Sequence, residues 1–283
     1  MGTLASDKFA VLVHSCDRYE FLFKGFEYFF NKHWDFGINC NYYFATEQKE
    51  ITIPNFKNIR SGTGEWADRL KILLTEQISE EYILYLQEDM WLHKKVGASF
   101  FNQLFELTVK NDWKQVKLHS SGVYKTLTTN QYIDGFNISK IDNIASDFLM
   151  SHQPTLWNKD FLIQQLHKNE HPWRNEREST KRLKKLNSEI FQIDYFVENL
   201  DDHHIILQNP NDKNYFQGVS VNGILNESVK YYIAELKKGD INYREYASKL
   251  EHNYNNEITH DGNAKPKRVD IFKKIKNKVR SLF

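Results

Sequence analysis

The 283-residue chain has only two cysteines, Cys16 and Cys40, and no long apolar run. Two cysteines without CxxC spacing provide neither a disulfide framework nor a cysteine metal site, which is typical of a protein in a reducing cytoplasm. The sequence has no secretory hydrophobic segment and no stretch of about 18 apolar residues. We therefore expect a cytoplasmic protein without a transmembrane helix.

Glycine-rich phosphate loops and a strong net charge are also missing. No GxGxxG or P-loop pattern follows the first apolar run, so a dinucleotide-binding fold and a P-loop enzyme are not supported. The net charge is +1, but residues 265–283 carry eight Lys or Arg and one Asp, a local charge of +7 that leaves −6 for the rest of the chain. An acidic body of this kind is not expected to bind nucleic acid.

Short apolar runs and amphipathic helical patterns alternate in the first part of the chain. Residues 9–13 (FAVLV) and 82–86 (YILYL) have no polar alternation, which indicates strands buried on both faces. Helical spacing of apolar residues follows the first run and precedes the second. The pattern predicts an α/β fold: a Rossmann-type sandwich whose mostly parallel central sheet is flanked by helices.

The second apolar run ends abruptly in Gln87, Glu88 and Asp89. Ligands of open α/β sheets bind at the carboxyl ends of the strands, so carboxylates at this point are candidates for metal or phosphate handling. Adjacent residues on an extended strand face opposite ways, so Glu88 and Asp89 can bind one ion only if the strand has ended before them. If the strand continues, Gln87 and Asp89 share a face instead.

Polar residues at two other predicted strand–helix junctions are candidates for nucleotide binding. Ser15, Asp17 and Arg18 follow the first strand, where free backbone N–H groups at a helix N-terminus can hold a phosphate. Asp68 and Arg69 lie in the first turn of the helix that leads into the 82–86 strand. The alternatives are that Asp17 simply caps a helix and that Asp68 and Arg69 form an exposed ion pair.

Residues 171–180 (HPWRNEREST) are dense in charge and begin with Pro-Trp. We interpret them as a loop in which one aromatic plane, with Glu176 and Glu178 nearby, lines a sugar site; the alternative is a solvated turn. Apolar positions with helical spacing follow at 186–200.

The last part of the chain separates into a polar stretch and a basic tail. Residues 252–268 are polar and predict a linker, after a domain that ends near residue 250. The tail places apolar residues on one helical face and lysines on the other: Val269, Phe272, Ile275, Val279 and Leu282. A basic amphipathic helix of this kind can lie on the anionic inner face of the cell membrane; the alternative is a frayed terminus.

Several segments together resemble bacterial nucleotide-sugar glycosyltransferases of the GT-A fold. They are FAVLVHSCDRYEFL, GEWADRLKILL, LQEDMWL, LWNKDFL and HPW, within residues 8–225. The resemblance implies a nucleotide-binding half at about 8–95 and an acceptor half at about 96–250, while the polar and basic composition of 251–283 sets that segment apart. It also implies that Asp89 contacts metal (Mn²⁺ or Mg²⁺) and diphosphate. The neighbouring Glu88 is a second carboxylate of the type that such an ion binds. Gln87 stands at the first acidic position of the family's Asp-x-Asp motif and becomes a ribose contact.

The resemblance further implies a catalytic role for Glu176, which follows Pro-Trp as acidic residues of similar enzymes do. Glu176 would be the general base that activates an acceptor hydroxyl. The expected activity is sugar transfer from a nucleotide-sugar donor to a saccharide or lipid-linked acceptor in bacterial surface polysaccharide synthesis (capsule, lipopolysaccharide or O-antigen). Two alternatives stay open: a nucleotidyltransferase, and a non-catalytic carbohydrate-binding protein on the same fold.

Overall fold

The computed structural model describes residues 8–194 and 215–265. Within them the strands are β1 Phe9–His14, β2 Asn41–Thr46, β3 Lys57–Arg60, β4 Tyr82–Leu86, β5 Met90–Leu92, β6 Gln115–Lys117, β7 Thr126–Ile133, β8 Phe136–Ile141, β9 Thr155–Asn158, β10 Phe191–Ile193, β11 Phe216–Gly218, β12 Ser220–Val221 and β13 Ile224–Leu225. The α-helices are α1 Glu20–His33, α2 Trp66–Ile72, α3 Ala98–Lys110, α4 Lys159–Gln165, α5 Pro172–Leu186, α6 Val229–Leu236 and α7 Ile241–Asn255. A 3-10 turn, Asp17–Tyr19, precedes α1, and a π-helical turn, Leu73–Gln77, follows α2.

Nine strands form one continuous sheet in the order β3-β2-β1-β4-β9-β6-β10-β8-β7. The first four run parallel, β9 is antiparallel to both of its neighbours, and β10 is parallel to β6. Because β8 is antiparallel to β10 and to β7, all strands of this sheet except β8 and β9 point in one direction. The predicted mostly parallel α/β sandwich is therefore confirmed.

Alternate residues of β1 face two different apolar layers, as a strand buried on both sides requires. Phe9, Val11 and Val13 pack in the layer that contains α1, α3, α6 and α7. Ala10 and Leu12 pack in the layer that contains α2, α4 and α5. The carboxyl ends of β1, β4 and β6 consequently lie at one edge of the sheet, where antiparallel β9 begins.

Helix α1 lies unusually close to β5 because Gly25 faces Trp91. A Cβ atom on Gly25 would come within 2.2 Å of the Trp91 ring, so only glycine permits this approach. The Tyr232 hydroxyl of α6 donates to the Trp91 carbonyl at 2.8 Å, and β5 pairs with β11. These contacts fix the chain immediately after the acidic motif.

Two local predictions are corrected by the structure, and one hairpin was not predicted. Residues 171–180 lie almost entirely in α5, which begins at Pro172 and is not a loop. The helix expected at 186–200 is wrong for its first part, because α5 ends at Leu186, Asn187 has a left-handed conformation and β10 follows as a strand. Residues 195–200 lie outside the described residues. The polar stretch after β6 forms the β7–β8 hairpin, which the sequence did not indicate.

The C-terminal region is described only to residue 265. The polar stretch for which the sequence predicts a linker contains the last turn of α7 and a turn in which Thr259 bridges Ile224 of β13. The amphipathic helix expected from the basic tail lies outside the described residues, and the domain division near 250 stays a prediction. Within residues 8–194 and 215–265, no helix has the length and apolar character needed to cross a membrane.

Candidate active site

The acidic motif forms a tight turn between β4 and β5. Strand β4 ends at Leu86, and the Met90 backbone N–H donates to the Gln87 carbonyl at 3.1 Å. Since the strand has ended, Gln87, Glu88 and Asp89 are not held to alternate faces, which meets the condition for Glu88 and Asp89 to act together. The Asp89 carbonyl accepts from Val219 N at 3.0 Å, so the segment after β11 fixes the turn from the other side.

Both carboxyl groups of this turn are withdrawn from water. Glu88 is buried, and Asp89 is half-buried with an Oδ1 atom that has no hydrogen-bond partner among the described residues. Burial raises the pKa of Asp89 to about 7; burial and then the neighbouring Asp89 charge raise the pKa of Glu88. Two carboxyl groups that resist ionisation side by side are typical of a site completed by a positive charge.

Arg69 is the positive charge that faces this turn, and it lowers the pKa of Glu88. Its side chain is buried; Nη1 donates to the Ser15 carbonyl at 3.3 Å, and Nε lies 3.5 Å from Glu47 Oε1. The structure thus brings Arg69 and Ser15 together with the acidic motif. Ser15 takes part through its backbone, because its hydroxyl donates to the Cys16 carbonyl.

The Asp17 side chain is hydrogen-bonded to backbone groups of the loop after β2. Its carboxylate accepts from the N–H groups of Glu47, Gln48 and Lys49 at 2.9 to 3.1 Å, and its own N–H donates to Glu47 Oε2. It does not cap the following helix, so the capping interpretation is wrong. Asp17 joins the end of β1 to the loop after β2.

Arg18 and Asp68 contact other segments of the chain. Arg18 is exposed, hydrogen-bonded to the Tyr19 hydroxyl at 3.2 Å, and its Nε lies 3.9 Å from Asp261 Oδ2. Asp68 accepts from the Asn169 backbone N–H at 3.1 Å, which ties α2 to the segment before α5. Asp68 therefore forms no ion pair with Arg69, contrary to the alternative interpretation.

Glu176 projects from α5 toward the segment that precedes β9. Its Oε1 accepts from the His152 backbone N–H at 3.2 Å. Burial raises the pKa of Glu176, while the His152 hydrogen bond, Lys117 and Arg177 act in the opposite direction. Glu178, the other candidate of this segment, pairs with Lys181 on the exposed side of α5.

Four buried aromatic side chains with polar atoms lie between the acidic turn and Glu176. Their ring centroids are separated by 5.7 Å for His14 and Trp66, 4.2 Å for Trp66 and His152, and 6.2 Å for Tyr85 and His152. His14 Nδ1 lies 3.3 Å from the Tyr85 hydroxyl. His14 Nε2 has no hydrogen-bond partner among the described residues. Buried donors without partners are costly, and functional sites commonly contain them.

Both histidines of this group are neutral at physiological pH. Burial lowers the pKa of His152 to about 3, and burial, Arg69 and His152 lower the pKa of His14. A neutral imidazole offers one donor and one acceptor, which suits contact with an uncharged hydroxyl-bearing ligand. This group continues from the carboxyl end of β1 to the acceptor half predicted from the sequence.

The carboxylates of the acidic turn are also candidate metal ligands. Mg²⁺ and Mn²⁺ prefer carboxylate oxygens and keep several positions for water and phosphate oxygens, so Asp89 and Glu88 with the unpartnered Asp89 Oδ1 fit such an ion. No group of three or more His, Cys, Asp or Glu residues in the described part of the chain could hold a metal. Any ion here would depend on ligands from its substrate.

Sequence reasoning missed His14, Trp66, Tyr85, His152 and Lys117. One available signal was position: His14 ends β1 and Lys117 ends β6, so both stand at carboxyl ends of strands, as the acidic turn does. His152 gave no such signal, because β9 runs antiparallel and presents its amino end at this edge.

Comparison with known proteins finds similarity only in structure. No family model and no curated protein matches the sequence. The chain is similar to a crystal structure of S. aureus TarS, with 11% identity and a TM-score of 0.46 over 88% of this chain; it spans only 43% of that one. A TarS 1–349 structure with UDP-GlcNAc gives 11% and 0.47 over 88% and 72% of the two chains. The same fragment with UDP gives 12% and 0.47 over 88% and 71%.

Proposed function

We propose that the protein is a glycosyltransferase that moves a sugar from a nucleotide-sugar donor to a hydroxyl group of a saccharide or lipid-linked acceptor. The observation that carries this proposal is the buried acidic turn of Glu88 and Asp89, placed at the carboxyl end of a central strand with an unpartnered Asp89 Oδ1. Arg69 and the four buried aromatic side chains described above lie between this turn and a second carboxylate, Glu176. This arrangement supports charge handling at one end of the proposed site and proton transfer at the other.

The acidic turn is the proposed diphosphate end. Glu88 and Asp89 would hold Mn²⁺ or Mg²⁺, which supplies a positive charge for the oxygens of the diphosphate leaving group. Gln87 precedes them in the same turn and contacts the ribose in this proposal. Arg69 and Ser15 form the adjoining wall, while Asp17 holds the loop after β2 in place.

Glu176 is the proposed general base for an inverting transfer. The acceptor oxygen forms a bond to the anomeric carbon, the bond between that carbon and the diphosphate oxygen breaks, and the acceptor proton passes to the Glu176 carboxylate. Burial raises the pKa of Glu176, which makes its carboxylate a better proton acceptor. The hydrogen bond from His152 N orients one oxygen and leaves the other for the substrate.

The basic tail supports a lipid-linked acceptor and a location at the membrane surface. A +7 segment at the C-terminus would hold the enzyme at the anionic inner face of a bacterial membrane, where a lipid-linked acceptor is concentrated. We therefore propose a cytoplasmic, peripheral membrane enzyme of surface polysaccharide synthesis. The acidic remainder of the chain supports no nucleic-acid partner.

Thermal unfolding with UDP, GDP, CMP and dTDP, each with and without Mn²⁺, tests the donor site. A nucleotide at 100 times its Kd stabilises the protein by about 2.7 kcal/mol. We expect one nucleotide to do so, and Asp89→Asn to abolish its Mn²⁺-dependent part. Asp160→Asn, an exposed carboxylate at the start of α4, is the matched control and keeps the wild-type response. Stabilisation by none of the nucleotides supports a non-catalytic carbohydrate-binding protein instead.

Sugar transfer or slow hydrolysis of the matching nucleotide-sugar tests the chemistry. Glu176→Gln should lower kcat by about 10²- to 10⁴-fold with little change in donor KM, because the variant cannot accept the acceptor proton. Glu178→Gln, on the exposed side of the same helix, should keep wild-type kcat. Formation of pyrophosphate from a nucleoside triphosphate and a sugar phosphate would show a nucleotidyltransferase instead.

A further inference from the structure

Lys117 occupies a position where a lysine is rarely found. It is the last residue of β6, and its side chain is completely buried, with 0% of its surface exposed. Among the described residues its Nζ atom has no hydrogen-bond partner, and it lies over the Tyr124 ring, 4.7 Å from the ring centroid. Burial lowers the pKa of Lys117 to about 7, and the Glu176 charge acts against that decrease. Burying an ammonium group is costly unless a negative charge acts on it, and Glu176 is the carboxylate whose charge acts on Lys117.

A series of polar contacts links Lys117 to Glu176. The Tyr124 hydroxyl under Lys117 lies 2.8 Å from His119 Nε2, and Ser151 Oγ lies 3.3 Å from the same atom. The residue after Ser151 is His152, whose N–H donates to Glu176. Strand β6, the segment before β9 and helix α5 therefore meet in one buried polar cluster behind the proposed base.

We propose that Lys117 is a positioning residue for Glu176, and that its ammonium group keeps the Glu176 carboxylate ionised and oriented to accept a proton. This inference rests on the proposed function, in which Glu176 is the general base. Lys117 has no exposed surface and lies against Tyr124, so it acts through Glu176 and does not touch the acceptor. Without an opposite charge, burial favours the neutral acid, which cannot act as a base.

The other groups that face Glu176 do not replace this charge. His119 and His152 are held neutral by burial, which lowers the pKa of both. Tyr124 is also neutral, because burial raises its pKa. Arg177 lowers the pKa of Glu176 but is exposed on α5, where water screens its charge. Lys117 is therefore the buried cation that stabilises the carboxylate form.

The pH dependence of kcat in the wild-type protein and in Lys117→Met tests the proposal. Methionine keeps most of the lysine volume and removes the charge. We expect the acid limb of the profile to move to higher pH by about one unit, kcat at pH values below the wild-type limb to fall about tenfold, and donor KM to stay unchanged. Lys117→Arg, which retains a positive charge, should keep the wild-type limb. Lys125→Met removes an exposed lysine just before β7 and should change neither parameter.

Different outcomes separate this inference from the proposed function. If the wild-type protein transfers sugar and Glu176→Gln does not, an unshifted acid limb in Lys117→Met overturns the positioning role. Urea unfolding of Lys117→Met, Glu176→Gln and the double variant gives a readout that does not need turnover. If the changes in unfolding free energy are non-additive, the two charges interact; if they are additive, the interaction is overturned. If Lys117→Met does not fold, Lys117→Gln replaces it. Absence of sugar transfer by the wild-type protein contradicts the proposed function. Any coupling between Lys117 and Glu176 would then be purely structural, and the positioning role would also be overturned.

Discussion

The Asp17 carboxylate accepts hydrogen bonds from three consecutive backbone N–H groups in the loop after β2. Glu47 returns one bond to the Asp17 N–H and also faces Arg69, so one pair of carboxylates connects β1, β2 and α2. Charge-assisted bonds of this type are about twice as strong as neutral ones. At the residue scale, the wall of the candidate site is thus held by side chains that need not touch a ligand.

Replacement of Asp17 tests this structural role. We expect Asp17→Ala to lower the free energy of unfolding by about 1–3 kcal/mol, because three N–H groups lose their acceptor. Asp17→Asn, which keeps one acceptor oxygen, should give a smaller loss. Urea unfolding measures both. If Asp17→Ala unfolds like the wild type yet no longer binds nucleotide, Asp17 contacts the ligand directly.

Helix α5 carries Glu176 and is anchored by a buried ion pair at its start. Arg182 Nη1 and Nη2 donate to Glu170 Oε1 and Oε2 at 3.0 and 2.9 Å, and Asn175 Nδ2 donates to the same carboxylate at 2.7 Å. Burial alone raises the pKa of Glu170, but the bonds from Arg182 and Asn175 outweigh burial, so its pKa is lowered. The fixed helix determines where the proposed base points.

The Glu170 ion pair makes the stability of the protein depend on pH. Folding favours the ionised form of Glu170, because its pKa is lower in the folded than in the unfolded protein. The stabilisation from the ion pair is therefore complete above the unfolded pKa of about 4.5 and is lost as pH falls through the lower folded pKa. Glu170→Gln should cost about 2–3 kcal/mol at pH 7, because Arg182 loses its buried partner. Thermal unfolding should show the difference from wild type shrinking below pH 4.5. A difference that is constant with pH would contradict this assignment.

The whole molecule joins two halves of the chain in one sheet. Strand β9 lies between β4 and β6, so the nucleotide half and the acceptor half predicted from the sequence share a continuous sheet and a common edge. The acidic turn comes from one half and Glu176 from the other. The basic tail is the remaining feature at this scale, and its charge is opposite to that of the body.

Sedimentation with lipid vesicles tests the tail. We expect the full-length chain to bind vesicles with anionic lipid and not purely zwitterionic ones, and binding to weaken with salt. Replacing Lys273, Lys274, Lys276 and Lys278 by Gln should reduce binding at least tenfold, since each lysine near the surface contributes about 1 kcal/mol. A protein with four matched changes, at Lys168 before α5 and at Lys181, Lys184 and Lys185 within it, should bind like the wild type. Equal binding by both variants would exclude the tail as the membrane contact.

Some of this organisation was readable from the sequence alone because it depends on neighbouring residues. A run of apolar residues without alternation predicts a doubly buried strand, and its abrupt end predicted that Glu88 and Asp89 lie at the carboxyl end of that strand. Whether the strand ends before these residues was left open by the sequence. The mostly parallel sheet followed from the alternation of strands and helices. The same local reasoning failed at residues 171–180, where charge density suggested a loop and the Pro172 start of a helix was overlooked.

The remainder of the candidate site was decided by tertiary structure. Trp66 and His152 are 86 positions apart in the chain but have ring centroids 4.2 Å apart, and His14 and Tyr85 meet across neighbouring strands. No local pattern encodes such contacts, because they depend on strand order and on the insertion of antiparallel β9 between parallel strands. The sequence by itself determined which strand carries the acidic turn. Only the packed sheet decided which side chains face that turn. Their burial and mutual distances, which set their charges, depend on residues that are far apart in the chain.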